Sequence, residues 1–209
     1  MAYIPQDKWA LRARKEGYLA RSAYKLLDID RRFKVLKKGD LVLDLGSAPG
    51  GWIQVAREKI GPEGFILGID IEPIKTKIFQ PEAGPPWAEK TPKFVFIQKD
   101  IYDKDLTSVI KKAVNARKFN VVLSDAAPKT TGQKDIDEWR AHELSLRVLD
   151  IVKLELKKGG NMIIKIFEGP DTPEIIKLSK RLFKIVHLIK PEASVKGSKE
   201  SYIIAKSFK

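Results

Sequence analysis

Residues 41–52 have the sequence LVLDLGSAPGGW, an apolar run that leads into a glycine-rich turn. The run predicts a buried strand, and a helix-like stretch follows from Trp52. Glycines allow positive φ and a close approach of backbone to ligand, and a helix start offers unpaired N–H groups. The segment is therefore typical of a nucleotide-type pocket, although a purely structural strand–turn–helix remains possible for this stretch alone. It has neither the G-x-G-x-x-G of dinucleotide-binding enzymes nor the Gly-Lys-Ser/Thr of a Walker loop.

Similar apolar runs recur along the chain and alternate with helix-like segments. Because these runs are apolar on consecutive positions, they predict strands covered on both faces, as in a parallel sheet between helices. The last two runs have no helix between them, so we expect an antiparallel pair near one end of the sheet. The strands are predicted at Leu41–Leu45, Phe65–Ile71, Phe94–Ile97, Val121–Leu123, Met162–Phe167, Ile185–Ile189 and Tyr202–Ala205. The helices are predicted at 52–60, 105–116, 137–157 and 172–184, with Asp137 beginning the third and Gly159–Gly160 ending it, and Ile74–Pro92 is predicted to be a surface loop.

Composition limits the function classes. The 209 residues include no Cys and two His, which excludes disulfides, thiolate metal sites and a cysteine nucleophile. No apolar run is long enough to span a membrane and no signal peptide is evident, so we expect a soluble, cytoplasmic protein. Lys and Arg outnumber Asp and Glu by 40 to 27, and the resulting net charge of +13 favours a polyanionic partner such as nucleic acid. Abundant charge with little Met and no Cys is compatible with a thermophilic source.

Polar residues stand at the ends of successive predicted strands. Asp70 ends the second strand, where an α/β nucleotide site places the acid that accepts both ribose hydroxyls. Asp100 follows the third strand and is suitably placed to accept from an adenine amino group, with Asp103 as its nearest rival. Asp125 follows the fourth strand, and Lys165 lies in the fifth. For each Asp alone, loop capping is the better explanation, but the carboxyl ends of parallel strands meet, so the set as a whole predicts one ligand crevice.

Lys165 is the most informative single residue, because it interrupts an apolar strand. Burying an unpaired ammonium is costly, and Lys is seldom buried without a partner. Two structural explanations are a lysine that extends to solvent and an ion pair with Asp125. The functional explanation is a lysine held in a cleft, where it can take part in proton transfer. His142 and His187, in contrast, are predicted to be surface or packing residues.

Five sequence blocks, in this order and spacing, carry a resemblance to a known family. The blocks are GYLARSAYKL at 17–26, DLGSAPGGW at 44–52, SDAAP at 124–128 with Thr131-Gly132 after it, KIFEG at 165–169 and SKESY at 198–202. With these blocks the chain resembles the FtsJ/RrmJ-type (RlmE) ribosomal RNA 2′-O-ribose methyltransferases, which use S-adenosylmethionine, and we expect an archaeal or thermophilic member. The resemblance implies a Rossmann-like class I methyltransferase fold: an α/β, seven-stranded, mostly parallel sheet with an antiparallel C-terminal strand and helices on both faces.

The resemblance also assigns residues. The family's Lys-Asp-Lys-Glu tetrad falls on Lys25, Asp125, Lys165 and Glu200, and its cofactor contacts fall on Gly50, Trp52, Asp70, Asp100 and Asp125. The chain departs from the bacterial pattern in its longer segment between Asp70 and Asp100, which makes the assignment of Asp100 less direct. Lys165 is expected to orient or deprotonate a uridine 2′-OH, either as a neutral amine that accepts the proton or as a cation that steers a lone pair.

The N-terminal segment is the predicted RNA contact. Residues 1–30 form a basic segment within a single methyltransferase domain, 1–209. Cations engage phosphates and aromatic rings stack on unpaired bases, although a solvated amphipathic helix would look similar and Tyr24 or Leu26 can instead pack on the sheet. The six cations are Lys8, Arg12, Arg14, Lys15, Arg21 and Lys25, interleaved with Trp9, Tyr18 and Tyr24.

The expected partner is ribosomal RNA or the large ribosomal subunit, with no membrane and no metal, and the protein is expected to be a monomer. One alternative is 2′-O-methylation of tRNA or another RNA. A second alternative, from a different class, is a non-catalytic RNA-binding assembly factor, which the complete tetrad disfavours. A nicotinamide-dependent oxidoreductase is disfavoured because the dinucleotide turn is missing.

Overall fold

The computed structural model describes residues 7–74, 93–195 and 197–209. The predicted loop at Ile74–Pro92 lies outside the described residues apart from Ile74. Thirteen elements follow one another along the described chain. They are α1 (Lys8–Glu16), α2 (Ala23–Phe33), β1 (Leu41–Leu45), α3 (Gly51–Ile60), β2 (Phe65–Asp70), β3 (Lys93–Gln98), α4 (Leu106–Ala113), β4 (Phe119–Ser124), α5 (Lys134–Glu155), β5 (Leu156–Phe167), α6 (Thr172–Leu182), β6 (Phe183–Ile189) and β7 (Glu200–Phe208).

The strands form a seven-stranded sheet in the order β3-β2-β1-β4-β5-β7-β6. The pairs among β1 to β5 are parallel, whereas β7 runs antiparallel to both β5 and β6. This confirms the predicted fold class and the predicted antiparallel pairing of the last two strands. The strand order reverses at β1 and β4, and ligands of such sheets bind outside the carboxyl ends of the strands at that point.

Helices cover the sheet on both faces because neighbouring strand residues are apolar. Leu43 of β1 packs in one cluster with Ile110 of α4 and Leu149 of α5. The adjacent Val42 points to the other face and packs in a second cluster with Leu26 of α2 and Ile53 of α3. Side chains of a strand alternate between faces, so a run that is apolar at every position requires cover on both.

Two boundaries of α5 differ from the predicted ones. The helix begins at Lys134 and not at Asp137, because the Asp137 carboxylate accepts hydrogen bonds from the backbone N–H groups of Thr131 (2.7 Å) and Gly132 (3.1 Å) and holds the preceding loop. The helix also ends at Glu155, before the predicted Gly159–Gly160. Residue 156 already pairs with β4, so both glycines belong to β5.

The N-terminal segment contains two helices that the sequence analysis did not separate. The Asp7 carboxylate accepts from the Trp9 N–H at 3.0 Å and begins α1, which ends at Gly17 with φ +80°. Helix α2 is different in character, since Leu26 and Ile29 are fully buried against β1 and α3. Of these two helices, α1 therefore has the exposed, basic character that was expected of the segment as a whole, and α2 does not.

Asp30 of α2 is expected to be important for stability. Its buried carboxylate accepts from the backbone N–H groups of Val35 (3.0 Å) and Leu36 (2.9 Å). Because each buried group left without a partner costs about 1–3 kcal/mol, we expect Asp30→Ala to lower the free energy of unfolding by about 2–4 kcal/mol. Urea unfolding monitored by circular dichroism measures the change. The control is Asp150→Ala, which removes an exposed ion pair with Lys153 and should change stability by less than about 1 kcal/mol. Equal urea midpoints for the two variants would contradict this role.

Candidate active site

A pocket of about 590 Å³ lies at the carboxyl ends of β1 to β4. We call it the strand-tip pocket. Each of these four strands contributes at least one lining residue at or just after its last position, as the sequence pattern predicted. The lining includes Gly46, Asp70, Asp100 and Asp125 from the strand ends, with Ala126 and Trp139 beside them.

The glycine turn after β1 is fixed by close packing. Gly46 has φ +76°, and a Cβ atom placed on it would lie 2.6 Å from Ala126 Cα, so only glycine fits there. Its N–H donates to the carbonyl of Ile69 at 2.8 Å, and the Ala48 N–H donates to Asp70 Oδ2 at 2.8 Å. The turn and the end of β2 therefore hold each other in place at the floor of the pocket.

Asp70 and Asp100 occupy the positions predicted for ligand-binding carboxylates. Asp70 accepts from Ala48 through one oxygen and from the Glu72 N–H at 2.8 Å through the other. Asp100 is exposed and lines the pocket, while Asp103 is drawn into an ion pair with Lys99 at 3.1 Å. The geometry therefore favours Asp100 over its rival.

Gly50 and Trp52 are placed differently. Neither is among the described residues that line the strand-tip pocket. Gly50 has φ +111° and precedes α3, whereas Trp52 is buried and its indole N–H donates to the Ser22 carbonyl at 2.9 Å. In this structure Trp52 joins α3 to the segment that leads into α2. The cofactor contact expected of Gly50 and Trp52 stays a prediction.

Asp44 is a buried carboxylate that the sequence analysis did not single out. Its side chain lies in β1, 1% exposed, and neither oxygen has a hydrogen-bond partner within the described protein. Burial, and then the negative charges of Asp125 and Asp70, raise the pKa of Asp44 well above its usual value. The sequence held the same signal as for Lys165, a charged residue inside an apolar strand.

Lys165 is largely buried and is paired with Asp125. Its ammonium is 3.3 Å from Asp125 Oδ1 and donates to the Asp125 backbone carbonyl at 2.5 Å, and its side chain is 9% exposed. The ion pair considered as a structural explanation is therefore present, and the lysine does not extend into solvent. Since Asp125 also lines the strand-tip pocket, it joins the pocket to the lysine.

The other two tetrad residues form a second ion pair. Lys25 of α2 lies 2.6 Å from Glu200 Oε1 at the start of β7, and both side chains are largely buried. Burial raises the pKa of Glu200, but the hydrogen bond and the charge of Lys25 outweigh it, so the pKa lies below its usual value. Glu200 is therefore ionised at neutral pH and holds Lys25 away from solvent.

Tyr202 connects the two ion pairs and was missed by the sequence analysis. Its hydroxyl donates to Asp125 Oδ1 at 2.6 Å and lies 3.3 Å from Glu200 Oε1. Burial raises the pKa of Tyr202, and the charges of Asp125 and Glu200 raise it further, so the hydroxyl remains a donor. The available signal was the i, i+2 spacing of Glu200 and Tyr202, which places both side chains on one face of a strand.

We expect Tyr202→Phe to lower kcat roughly 10-fold with little change in the KM for the ligand of the strand-tip pocket. The loss of the hydroxyl removes a charge-assisted hydrogen bond from Asp125, and such bonds contribute about 1.5–3 kcal/mol. Steady-state kinetics separates the two constants. Tyr18→Phe is the matched control, because that hydroxyl donates to Glu58 at 3.2 Å on the surface. An unchanged kcat in Tyr202→Phe would show that the two pairs act independently of this hydroxyl.

The two histidines lie outside this network. His142 Nε2 is 3.3 Å from Glu174 Oε2, and the His187 ring packs on Phe33 with centroids 5.0 Å apart. Both therefore act as the packing or surface residues predicted. Within residues 7–74, 93–195 and 197–209, no group of three His, Cys, Asp or Glu side chains has an arrangement suited to a metal ion.

Comparison with known proteins connects this geometry to a family. The sequence profile of the FtsJ-like methyltransferases matches residues 18–208, which include all four residues of the tetrad. The chain belongs to this family. It is therefore an enzyme, and its methyl donor is S-adenosylmethionine.

The similar proteins align with almost the whole length of this methyltransferase. "Ribosomal RNA large subunit methyltransferase E" of Oleidesulfovibrio alaskensis is 40% identical over 205 residues, which are 98% of this chain and 92% of that protein. The protein of the same name from Methanothermobacter thermautotrophicus is 41% identical over 204 residues, 98% of this chain and 90% of its own length.

Solved structures agree on the fold. A crystal structure described as a putative ribosomal RNA methyltransferase from Plasmodium falciparum has a TM-score of 0.74 and 29% identity, covering 91% of this chain and 98% of that one. Fibrillarin from Aeropyrum pernix, with bound S-adenosyl-L-methionine, shares the fold with a TM-score of 0.58 and 17% identity over 94% of this chain and 76% of its own. None of the helices in the described part of the methyltransferase is both long and apolar enough to cross a membrane.

Proposed function

We propose that this methyltransferase transfers a methyl group from S-adenosylmethionine to the 2′-OH of a uridine in large-subunit ribosomal RNA. The observation that carries the proposal is Lys165, which Asp125 holds at the border of the strand-tip pocket. The names of the similar proteins support ribosomal RNA of the large subunit as the substrate. The Lys-Asp-Lys-Glu resemblance supports ribose as the acceptor.

The residues that line the pocket fit the methyl donor. Asp70 presents a carboxylate for ribose hydroxyls, and the exposed Asp100 presents one for an adenine amino group. Asp70 and Asp125 line the pocket and give it a negative character that complements a cationic sulfonium. When bound, S-adenosylmethionine supplies an electrophilic methyl group.

Lys165 is the residue that we assign to the acceptor hydroxyl. A lysine ammonium has three donor positions, and Asp125 occupies two of them, through its backbone carbonyl and its carboxylate. The remaining position of Nζ can orient a 2′-OH. The hydroxyl proton passes to Lys165 if the amine is neutral and to water if it is charged. Tyr202 and the Lys25–Glu200 pair keep Asp125 in place.

Helix α1 is the part of residues 1–30 that we assign to RNA. Lys25 and Tyr24 are buried, and Arg21 is paired with Asp7, so these residues support the structure of the segment. The packing of Tyr24 is the alternative that the sequence analysis had left open. The side chains of Lys8, Arg12, Arg14 and Lys15 are exposed on α1.

Neutralising α1 is expected to weaken RNA binding and its salt dependence together. We expect the triple variant Lys8→Gln, Arg14→Gln, Lys15→Gln to lower the slope of log affinity against log salt by about 2, because each phosphate contact contributes roughly 0.7–0.9. Fluorescence anisotropy with a labelled RNA at several salt concentrations measures this slope. The control neutralises Lys111, Lys112 and Lys157, which are exposed near the opposite ends of the strands. Equal slopes for the two triple variants would exclude α1 as the contact.

One assay tests the proposed function. The protein is incubated with labelled S-adenosylmethionine and, separately, large-subunit RNA, intact large subunits and tRNA, and the modified ribose is then mapped. Label at the 2′-O of one uridine in the ribosomal substrate is the expected result. Label in tRNA alone would replace the proposed substrate, and RNA binding without label would favour an assembly factor.

We further propose that residues 1–209 form a single domain that acts as a monomer in the cytoplasm.

A further inference from the structure

Phe167 is an aromatic residue beside the tetrad that the mechanism above does not use. It is the last residue of β5, and its side chain is 37% exposed. The centre of its ring lies 5.8 Å from Lys165 Nζ. An exposed apolar ring so close to a reactive lysine suggests a contact with the bound substrate.

The register of the sheet places the ring on the reactive face. Lys165 pairs with Tyr202, and Phe167 pairs with Glu200, in the antiparallel ladder between β5 and β7. Positions 165 and 167 share one face of β5 because strand side chains alternate. Phe167 is therefore one step further towards the open end of the strand than Lys165, where β5 ends and the chain continues as a loop.

The position of the 2′-OH in the reaction determines which part of the nucleotide lies near the Phe167 ring. Our inference rests on the proposed function, because it requires a nucleotide whose 2′-OH is within hydrogen-bond reach of Lys165 Nζ. The base is attached to the ribose carbon next to the one that carries the 2′-OH, so it must lie near Lys165 as well. A base taken out of its stack presents two unpaired aromatic faces. Phe167, whose ring centre lies 5.8 Å from Lys165 Nζ, offers a partner for one of them.

We propose that Phe167 is the stacking platform for the base of the nucleotide that is methylated. Stacking on an aromatic side chain tolerates any base and strengthens binding roughly 5- to 100-fold per base. The ring would therefore hold the target nucleotide in place, while the choice of base depends on other contacts. Trp139 is the competing platform, since it is 59% exposed and lines the strand-tip pocket.

A thermodynamic cycle tests the proposal. The variants are Phe167→Leu, Phe167→Trp and Trp139→Leu, and the two RNAs are a fragment that wild-type protein methylates and the same fragment with an abasic target nucleotide. We expect Phe167→Leu to raise the Kd for the intact RNA roughly 5- to 100-fold and to leave the Kd for S-adenosylhomocysteine unchanged. Phe167→Trp should restore RNA binding.

The decisive result is the behaviour of the abasic RNA. If the base stacks on Phe167, wild type binds the abasic RNA more weakly than the intact RNA. Phe167→Leu then binds both RNAs with about the same reduced affinity, because the two changes remove the same contact and their effects do not multiply. The proposal would be overturned if the affinity lost by removing the base and the affinity lost by Phe167→Leu multiplied in the combination. It would also be overturned if Trp139→Leu, and not Phe167→Leu, bound the intact and abasic RNAs equally well. An unchanged Kd for intact RNA in Phe167→Leu would also overturn it. The RNA fragment is chosen by wild-type activity, so methylation of another RNA refutes only the proposed substrate, whereas no methylation of any RNA refutes both proposals.

Discussion

Lys165→Ala is expected to abolish methyl transfer while S-adenosylhomocysteine still binds with nearly the wild-type Kd. The variant removes the only side chain that we assign to the 2′-OH, and general acid–base help is typically worth 10² to 10⁴-fold. The strand-tip pocket keeps its carboxylates, because Asp70 and Asp100 take their hydrogen bonds from backbone groups. Single-turnover assays measure the rate, and calorimetry measures the Kd.

The control for Lys165→Ala is Lys206→Ala. Lys206 lies in β7 and donates to the Phe33 carbonyl at 2.8 Å, so its removal also costs one hydrogen bond between a lysine and the backbone. It has no contact with the tetrad, and we expect its rate to stay within about twofold of wild type, as for a substitution away from the reacting atoms. Residual activity in Lys165→Ala above about one tenth of wild type would fall outside the range expected for the loss of this group and refute the assignment.

Much of the site could be predicted because it depends on strand ends. Asp70, Asp100 and Asp125 each follow an apolar run, and the geometry of a parallel sheet brings such ends together whatever the detailed packing. The partners of these residues could not be predicted in the same way. The contact of Lys25 with Glu200 joins residues 175 positions apart, and no local pattern encodes it. The role of Tyr202 depends on the antiparallel register that places it opposite Lys165.

The fold, like the site, could be predicted in some parts and not in others. Each of the seven described strands overlaps a predicted apolar run, and the signal is most continuous in β1 and β4, which are buried at almost every position. The start of β5 at Leu156 was missed, and the edge strands β3 and β6 are partly exposed. The ends of helices were less predictable, since side chains that look like caps have other partners. Asp137 resembles a helix start but binds the loop before it. In α2 the many charged residues conceal a buried face, and Oδ1 of Asp30 accepts from two backbone N–H groups.

Gly46→Ala is expected to abolish binding of the methyl donor and to destabilise the fold by several kcal/mol. A positive φ of +76° costs an L-residue about 1–2 kcal/mol, and the added Cβ would overlap Ala126, at 2.6 Å from its Cα. Ala126 follows Asp125 directly, so the overlap displaces the residue that joins the strand-tip pocket to Lys165. Thermal unfolding and calorimetric titration with S-adenosylhomocysteine measure the two effects.

Gly39→Ala is the control that separates the effect of backbone strain at a positive φ from the effect of steric overlap at Gly46. Gly39, just before β1, has φ +80° but no atom within 4 Å of the added Cβ, so this variant introduces the same backbone strain without a clash. We expect it to lose about 1–2 kcal/mol of stability and to bind the ligand normally. If Gly46→Ala behaved in the same way, the contact between the turn and Ala126 would not shape the pocket. A loss of binding in Gly46→Ala alone would show that the glycine is required for the close approach of the β1 and β4 ends, on which both the donor site and the position of Asp125 depend.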